Sequence, residues 1–306
     1  MKWGVALNVR ESMSETLRKA RTADRGGIDE VWITDFPASK YAPAVAAAVA
    51  EETKSCRIGV GLVSPLLYSP TQILQFMSTL SDTYGERFDL LLGPGDKHAL
   101  KKIGISHTSR AMVHKSTQAL QEIKTGLSET GHNSSIFLGA QGPRMIKASL
   151  KAHGVLLNYS DLEMAKWAME HVKDECTDDF QIGLFLPTYV GDCRDFMKNQ
   201  SISYSAAMVA IGLGKTASES FGFNDQIQRA RRLIKKHGQI NTQVVSSLGK
   251  ELLQRFAFCG TVEQLLEYLK ELQSIGFGLI VFGPPQGIRK HGVDIIVEAK
   301  QSFDMI

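Results

Sequence analysis

The chain has 306 residues, 43% of them hydrophobic and 22% charged, an ordinary globular composition with room for one α/β barrel or two smaller domains. A formal net charge of +3 is too small at this length to imply a nucleic-acid or membrane partner. No apolar run approaches the ~20 residues that span a bilayer, and the first residues lack the basic and apolar regions of a secretion signal, so a cytoplasmic location is expected.

Taken in order, apolar runs alternate with helical patterns. Residues 3–9 (WGVALNV) read as a buried strand, and Ser14 then suits a helix cap, with Leu17, Ala20, Ala23 and Ile28 on one face and Gly26-Gly27 as the stop. Residues 30–34 form a second strand closing in Asp35-Phe36-Pro37, and residues 43–52 an alanine-rich helix whose small side chains invite close packing. Residues 57–63 and 88–92 are a third and fourth strand. Between them Ser69-Pro70 opens a helix, 71–84, with Ile73, Leu74, Met77 and Leu80 on its buried face. A helix is expected over 112–127, a strand over 135–138, and a helix over 144–151 with Pro143 in its first turn. Strands at 154–158, 180–187 and 278–283 and helices at 162–172 and 293–302 complete the pattern. Eight strands, each followed by a helix, predict one (β/α)8 barrel over residues 1–306, with a helical insertion at about 192–258 between strands seven and eight.

In such a barrel the loops after the strands share one rim, and that rim carries the chemistry. Gly93-Pro94-Gly95-Asp96-Lys97, Gly139-Ala140-Gln141-Gly142 and Gly283-Pro284-Pro285-Gln286-Gly287 all follow strands. Glycines there let backbone N–H groups approach a ligand, and three such loops on one rim favour a phosphate-bearing cofactor; a plain structural turn is the other reading of each. Asp35 and Asp96 end strands two and four, and Asn158 ends strand six. A rim carboxylate serves as acid, base or substrate anchor, or simply caps its own loop. The basic run Arg229, Arg231, Arg232, Lys235 and Lys236 reads as a solvated helix face, with an anionic cofactor tail as the rival. None of the eight histidines falls at a strand end; His107, His114, His132 and His153 read as helix-face or loop residues. Cys56, Cys176, Cys193 and Cys259 are scattered, without Cys-x-x-Cys, and read as buried or idle thiols rather than a metal site or a disulfide framework.

VWITDF (31–36), GVGLVSPLLYSP (59–70), LLGPGDK (91–97), LGAQGPRMIKAS (138–149) and CGTVEQLLEYLKELQSIGFGLIVFGPPQG (259–287) carry a resemblance over nearly the whole chain. With them the sequence resembles the bacterial-luciferase-like barrels and, within these, the F420-dependent methylenetetrahydromethanopterin reductases of methanogenic archaea. GPGDK together with GAQGP is the part most specific to that branch, while 192–258 matches poorly and reads as shortened. The resemblance implies the deazaflavin coenzyme F420 at the rim, resting against a non-proline cis peptide that would fall at Gly61–Leu62. It implies a pocket lined by Asp35, Ser64, Gly95, Asp96, Gly139, Ala140, Gln141, Gly142 and Asn158, with Asp35 and Asp96 orienting substrate or cofactor. The reaction it implies, in the one-carbon metabolism of methanogenesis, is hydride transfer from reduced F420 to the methylene group of a tetrahydromethanopterin-type pterin. It also implies a homodimer or higher homo-oligomer, with the alanine-rich helix near Ala44–Ala50 as a packing face.

Two positions depart from the family. Ala6 stands where strand one usually carries a glutamate linked to proton transfer, and Phe36 stands where a histidine commonly follows the strand-two Asp. Two rivals therefore accompany the reductase: a catalytically silent relative that binds F420 or a protein partner, and an FMN-dependent monooxygenase of the same superfamily.

Overall fold

The computed structural model describes residues 1–8, 10–37, 39–106 and 108–305, and the side chains of all of these except Lys97, His98 and Ser109. Val9, the expected end of the first strand, His107 and the Lys97 side chain lie outside the described residues. Seven strands run in chain order as β1 (Lys2–Leu7), β2 (Glu30–Ile33), β3 (Arg57–Val63), β4 (Phe88–Leu92), β5 (Ser135–Ala140), β6 (Gly154–Leu157) and β7 (Gln181–Val190). A three-residue β8 (Phe258–Gly260) and then β9 (Leu279–Gly283) follow. Pairing is parallel throughout: β1 to β7 join in order, β7 pairs with β9, and β9 pairs with β1, closing an eight-stranded barrel. β8 lies outside that ring, on the outer end of β7, where Tyr189 stands opposite Cys259.

Helices cover the barrel: α1 (Met13–Arg25), α2 (Ala42–Glu52), α3 (Pro70–Tyr84), α4 (Lys97–Lys102), α5 (Ser109–Glu129), α6 (Pro143–Ala148) with a 3₁₀ turn behind it, and α7 (Leu162–Met169). The insertion carries α8 (Gln200–Gly212), α9 (Lys215–Ser220), α10 (Asn224–His237), α11 (Thr242–Leu248) and α12 (Lys250–Gln254), and α13 (Val262–Ser274) and α14 (Gly292–Asp304) close the chain. Their starts follow local chemistry. Ser69 and Gln72 form a capping box at α3. Ser12, not the expected Ser14, caps α1, because only a residue three before Glu15 can take its N–H. The alanine-rich face of α2 is turned inward, with Ala42, Val45, Ala46, Val49 and Ala50 buried.

Strands buried on both faces should read as unbroken apolar runs, and β4 is buried at every residue. Alternate side chains feed two cores. One lies between barrel and helices. The other fills the barrel with Ala6, Trp32, Leu91, Phe137, Leu156, Leu279 and Val281, joined by Leu62 and Phe185. Trp32 dominates it, its indole edge-on to Phe137 at 6.0 Å and to Phe185 at 6.3 Å. Gly59 is glycine because a Cβ there would strike that indole.

Two expectations are corrected in and around the insertion. Cys193 and Cys259 form a disulfide, Cα atoms 5.7 Å apart, leaving Cys56 and Cys176 free. The β7–β8 pairing brings together thiols 66 residues apart, which spacing alone does not show. Arg231 is not on a solvated face: its guanidinium donates to Ile211 O at 2.6 Å and Leu213 O at 2.7 Å, capping the end of α8. Arg229, Arg232, Lys235 and Lys236 are exposed. No helix among the described residues is long and apolar enough to cross a membrane, and none of their His, Cys, Asp and Glu side chains form a group that could hold a metal ion.

Candidate active site at the carboxyl rim

The rim is shaped around Leu62. Gly61 pairs with Leu91 but Val63 pairs with Leu92, so Leu62 is the extra residue of a β-bulge. The Gly61–Leu62 peptide is cis, at the position the resemblance implies. Gly61 has no room for a side chain, since a Cβ would lie 2.5 Å from Leu91 Cβ and 2.7 Å from its carbonyl oxygen. A Cβ on Gly93 would come within 2.7 Å of Leu62 Cδ1, and one on Gly139 within 2.6 Å. Gly93, just after β4, and Gly139, in β5, make way for one leucine rather than for a phosphate.

Ser64 and Gly95 join the next two loops. Ser64 is 1% exposed. Its hydroxyl donates to Pro94 O at 3.0 Å and accepts from Leu66 N at 3.2 Å. Gly95 has φ +80°, which favours glycine, and a Cβ there would press on Ser64 at 3.2 Å. Asp96 is exposed, and its carboxylate accepts from Ala99 N at 2.7 Å as the N-cap of α4, so the loop-capping reading describes it.

Asp35 stands differently. Its amide donates to Gly61 O at 3.2 Å, which ties it to the bulge. Tyr68, from the loop after β3, donates its hydroxyl to Asp35 Oδ1 at 3.3 Å, long for such a bond. Burial pushes the Asp35 carboxyl above the usual carboxylate range, and the Tyr68 hydrogen bond pulls the other way. The Tyr68 phenol is itself raised, by burial first and then by the Asp35 charge. Tyr41 is 50% exposed, with its ring 6.1 Å from that of Tyr68. Beside the pair, the Arg10 guanidinium lies 4.3 Å from the centre of the Phe36 ring.

On the far side of the rim Asn158 follows β6. Its Oδ1 is shielded from solvent and has no hydrogen-bond partner among the described residues. Gly139 and Ala140 are the last residues of β5 rather than a loop. Gln141 turns to the insertion: its Nε2 donates to Val209 O of α8 at 3.0 Å, and its carbonyl accepts from the Tyr159 hydroxyl. Gly142 precedes α6, a helix of only six residues. The third glycine loop is packed shut. Gln286 is fully buried, accepting from Val190 N at 2.9 Å and donating to Gly292 O at 2.8 Å, and a Cβ on Gly287 would strike Ala6 O.

Asp35, Gly61, Leu62, Ser64, Gly95 and Gly139 thus sit on adjacent strand ends from β2 to β5, with Asn158 next along the rim at β6. Sequence reasoning missed Tyr68, Tyr159 and Trp32. Tyr68 alone left a signal, four residues after Ser64 in the matched segment 59–70.

Eight parallel strands closed on themselves, a bulge ending the third, and a helical insertion before the last define a luciferase-like barrel. Residues 2–278 match the luciferase-like monooxygenase family, and the chain belongs to it. Within that family it is related to the methylenetetrahydromethanopterin reductases. It is 24% identical over 314 residues to the 5,10-methylenetetrahydromethanopterin reductase of Archaeoglobus fulgidus, which covers 94% of each chain. Its fold is similar to that of the coenzyme F420 dependent tetrahydromethanopterin reductase of Methanopyrus kandleri, with TM-score 0.79, 18% identity and 99% of both chains covered. An F420-dependent secondary alcohol dehydrogenase in complex with an F420–acetone adduct follows at TM-score 0.73 and 14% identity, with 99% of this chain and 98% of that one covered.

Proposed function

We propose that the chain is an F420-dependent oxidoreductase that moves a hydride between reduced F420 and the methylene group of a tetrahydromethanopterin-type pterin. The observation that carries the reading is the Leu62 bulge: an apolar side chain at the carboxyl end of the barrel interior, given room by Gly93 and Gly139. Polar groups flank it, Asp35 on the β2 side and the unpartnered Asn158 Oδ1 on the β6 side. An apolar platform with a weakly held carboxylate on one margin and an unpartnered amide oxygen on the other fits a planar ring with polar edges. Gly61 and Leu62 would support that ring. Ser64, Gly95, Ala140, Gln141, Gly142 and Asn158 would hold its edge and tail, and Asp35, with the Asp96 carboxylate oxygen that does not cap α4, would orient the pterin. When bound, the deazaflavin supplies the hydride; the protein positions two rings and excludes water. A homo-oligomer belongs to the same proposal, and a monomer by light scattering at micromolar concentration would contradict it.

The test is turnover: the full chain mixed with reduced F420 and methylene-tetrahydromethanopterin should regenerate oxidised F420 and form the methyl pterin. One observation favours a second reading. Ala6 is fully buried among Trp32, Leu91 and Val281, and the buried carboxylates of the described residues, Glu30 and Asp89, belong to the opposite end of the barrel. A barrel interior without an acid suits a silent relative that binds F420 and turns over nothing. F420 binding without pterin turnover would select it, and binding of FMN in preference to F420 would select the monooxygenase.

A further inference from the structure

A methylene carbon bridging two nitrogens must lose one of them before it can accept a hydride, and the departing nitrogen needs a proton. The barrel interior is apolar, so the acid has to stand on the rim. Most rim carboxylates are committed. Asp96 caps α4. Both oxygens of Glu11 accept from Lys19 Nζ at 2.8 Å. Asp161 caps α7 and meets Arg255 Nη1 at 3.3 Å. Asp192 is paired with Arg194. Asp35 differs, in that its side-chain partner is a phenol rather than a cation or a helix N-terminus, and its backbone is fixed to Gly61.

We propose that Asp35 is the proton donor of this site and that Tyr68 is the positioning residue that holds it, the assignment resting on the oxidoreductase reading above. In the step, the Asp35 O–H bond breaks and an N–H bond forms at the departing nitrogen. The C–N electron pair stays on that nitrogen and leaves the carbon as an electrophilic iminium. Asp35 is left as a carboxylate, accepts the Tyr68 O–H, and recovers its proton from water.

The surroundings support the assignment. Burial raises the Asp35 carboxyl and so keeps it protonated to higher pH than a solvated aspartate. Tyr68 from the loop after β3 acts on it directly, and Tyr41 at the start of α2 faces it, its phenol raised by burial first and then by the Asp35 charge. Arg10 is occupied by the Phe36 ring next door. A 3.3 Å contact leaves room to tighten once the carboxylate forms.

The experiment pairs carboxyl NMR titration of the unliganded full chain with kcat–pH profiles, for wild type, Tyr68→Phe and Asp35→Asn. Tyr68 stabilises the charged carboxylate, so Tyr68→Phe should raise the Asp35 midpoint further, by about half a pH unit. The limb of kcat that falls with rising pH should move by the same amount. Asp35→Asn should lower kcat ~10²–10⁴-fold, with the circular dichroism unchanged and the pH-dependent limb of kcat lost. An Asp35 midpoint that ignores Tyr68→Phe overturns the pairing. Turnover by Asp35→Asn within about threefold of wild type overturns the donor and leaves the oxidoreductase reading standing. A wild type that turns over no pterin overturns both.

Discussion

The two ends of the barrel treat polar groups in opposite ways. At the floor, Arg57 grips Asp89 through two hydrogen bonds of 2.7 and 2.6 Å, Ser135 N adds a third at 3.0 Å, and Glu30 accepts the Trp32 indole N–H at 2.8 Å. Those carboxylates are buried and each has a partner. At the rim, Asp35 is half-buried with one long bond to a phenol, and the Asn158 Oδ1 is buried with none. A floor whose carboxylates are satisfied from within holds the fold; among the described residues the rim leaves Asp35 weakly held and the Asn158 Oδ1 without a partner, the two groups there with bonding capacity to spare.

That contrast can be broken from either end. The largest effect should come from Trp32→Ala, which empties the middle of the barrel and strips Glu30 of its donor: a loss of about 3–5 kcal/mol in urea unfolding. A loss under about 1 kcal/mol would mean that the indole is not what fills the interior. Next is the strap beside the rim. Removing the Cys193–Cys259 bridge with Cys193→Ser, or by reduction, should cost about 4 kcal/mol for a loop of this length. Thiol titration of the denatured, unreduced chain should find two free thiols, Cys56 and Cys176, and four would contradict the bridge.

Glu30 gives the floor a pH signature. Burial, aided by the Asp89 charge, pushes its carboxyl up to about 7 from an ordinary value of 4.5. The folded state therefore holds this proton more tightly than the unfolded chain. Its contribution is complete below the unfolded value and is lost as pH rises to about 7, some ~3 kcal/mol in all. Glu30→Gln, which can still accept the indole N–H, should flatten stability between those limits; an unchanged slope would contradict the assignment. The smallest stability effect belongs to the rim. Asn158→Ala deletes an oxygen with no partner, so the unliganded protein should change by less than ~0.5 kcal/mol while its affinity for F420 falls about tenfold. A large stability loss with unchanged affinity would erase the distinction between the two ends.

The same division governs what could be read in advance. Buried parallel strands announce themselves as apolar runs, and residues 57–63 and 88–92 are β3 and β4 to the residue. Short elements carry too few residues to show a period: β8 has three and α4 six, and neither was expected. Pairings across long stretches were hidden for a different reason. Asp35 and Tyr68 are 33 residues apart, and Cys193 and Cys259 are 66 apart; only the closed barrel brings either pair together. The rim glycines were visible as glycines, but what Gly93 and Gly139 accommodate is Leu62. The composition of the rim was legible, and its division of labour was not.

The central claim, that this rim is a deazaflavin site, is tested most directly by titrating the purified wild-type chain with oxidised F420 and following its fluorescence, with FMN run alongside. Micromolar or tighter binding of F420, with FMN weaker, is the result expected of a Leu62 platform flanked by Asp35 and Asn158. Saturation by FMN in preference to F420, or binding of neither, would contradict it.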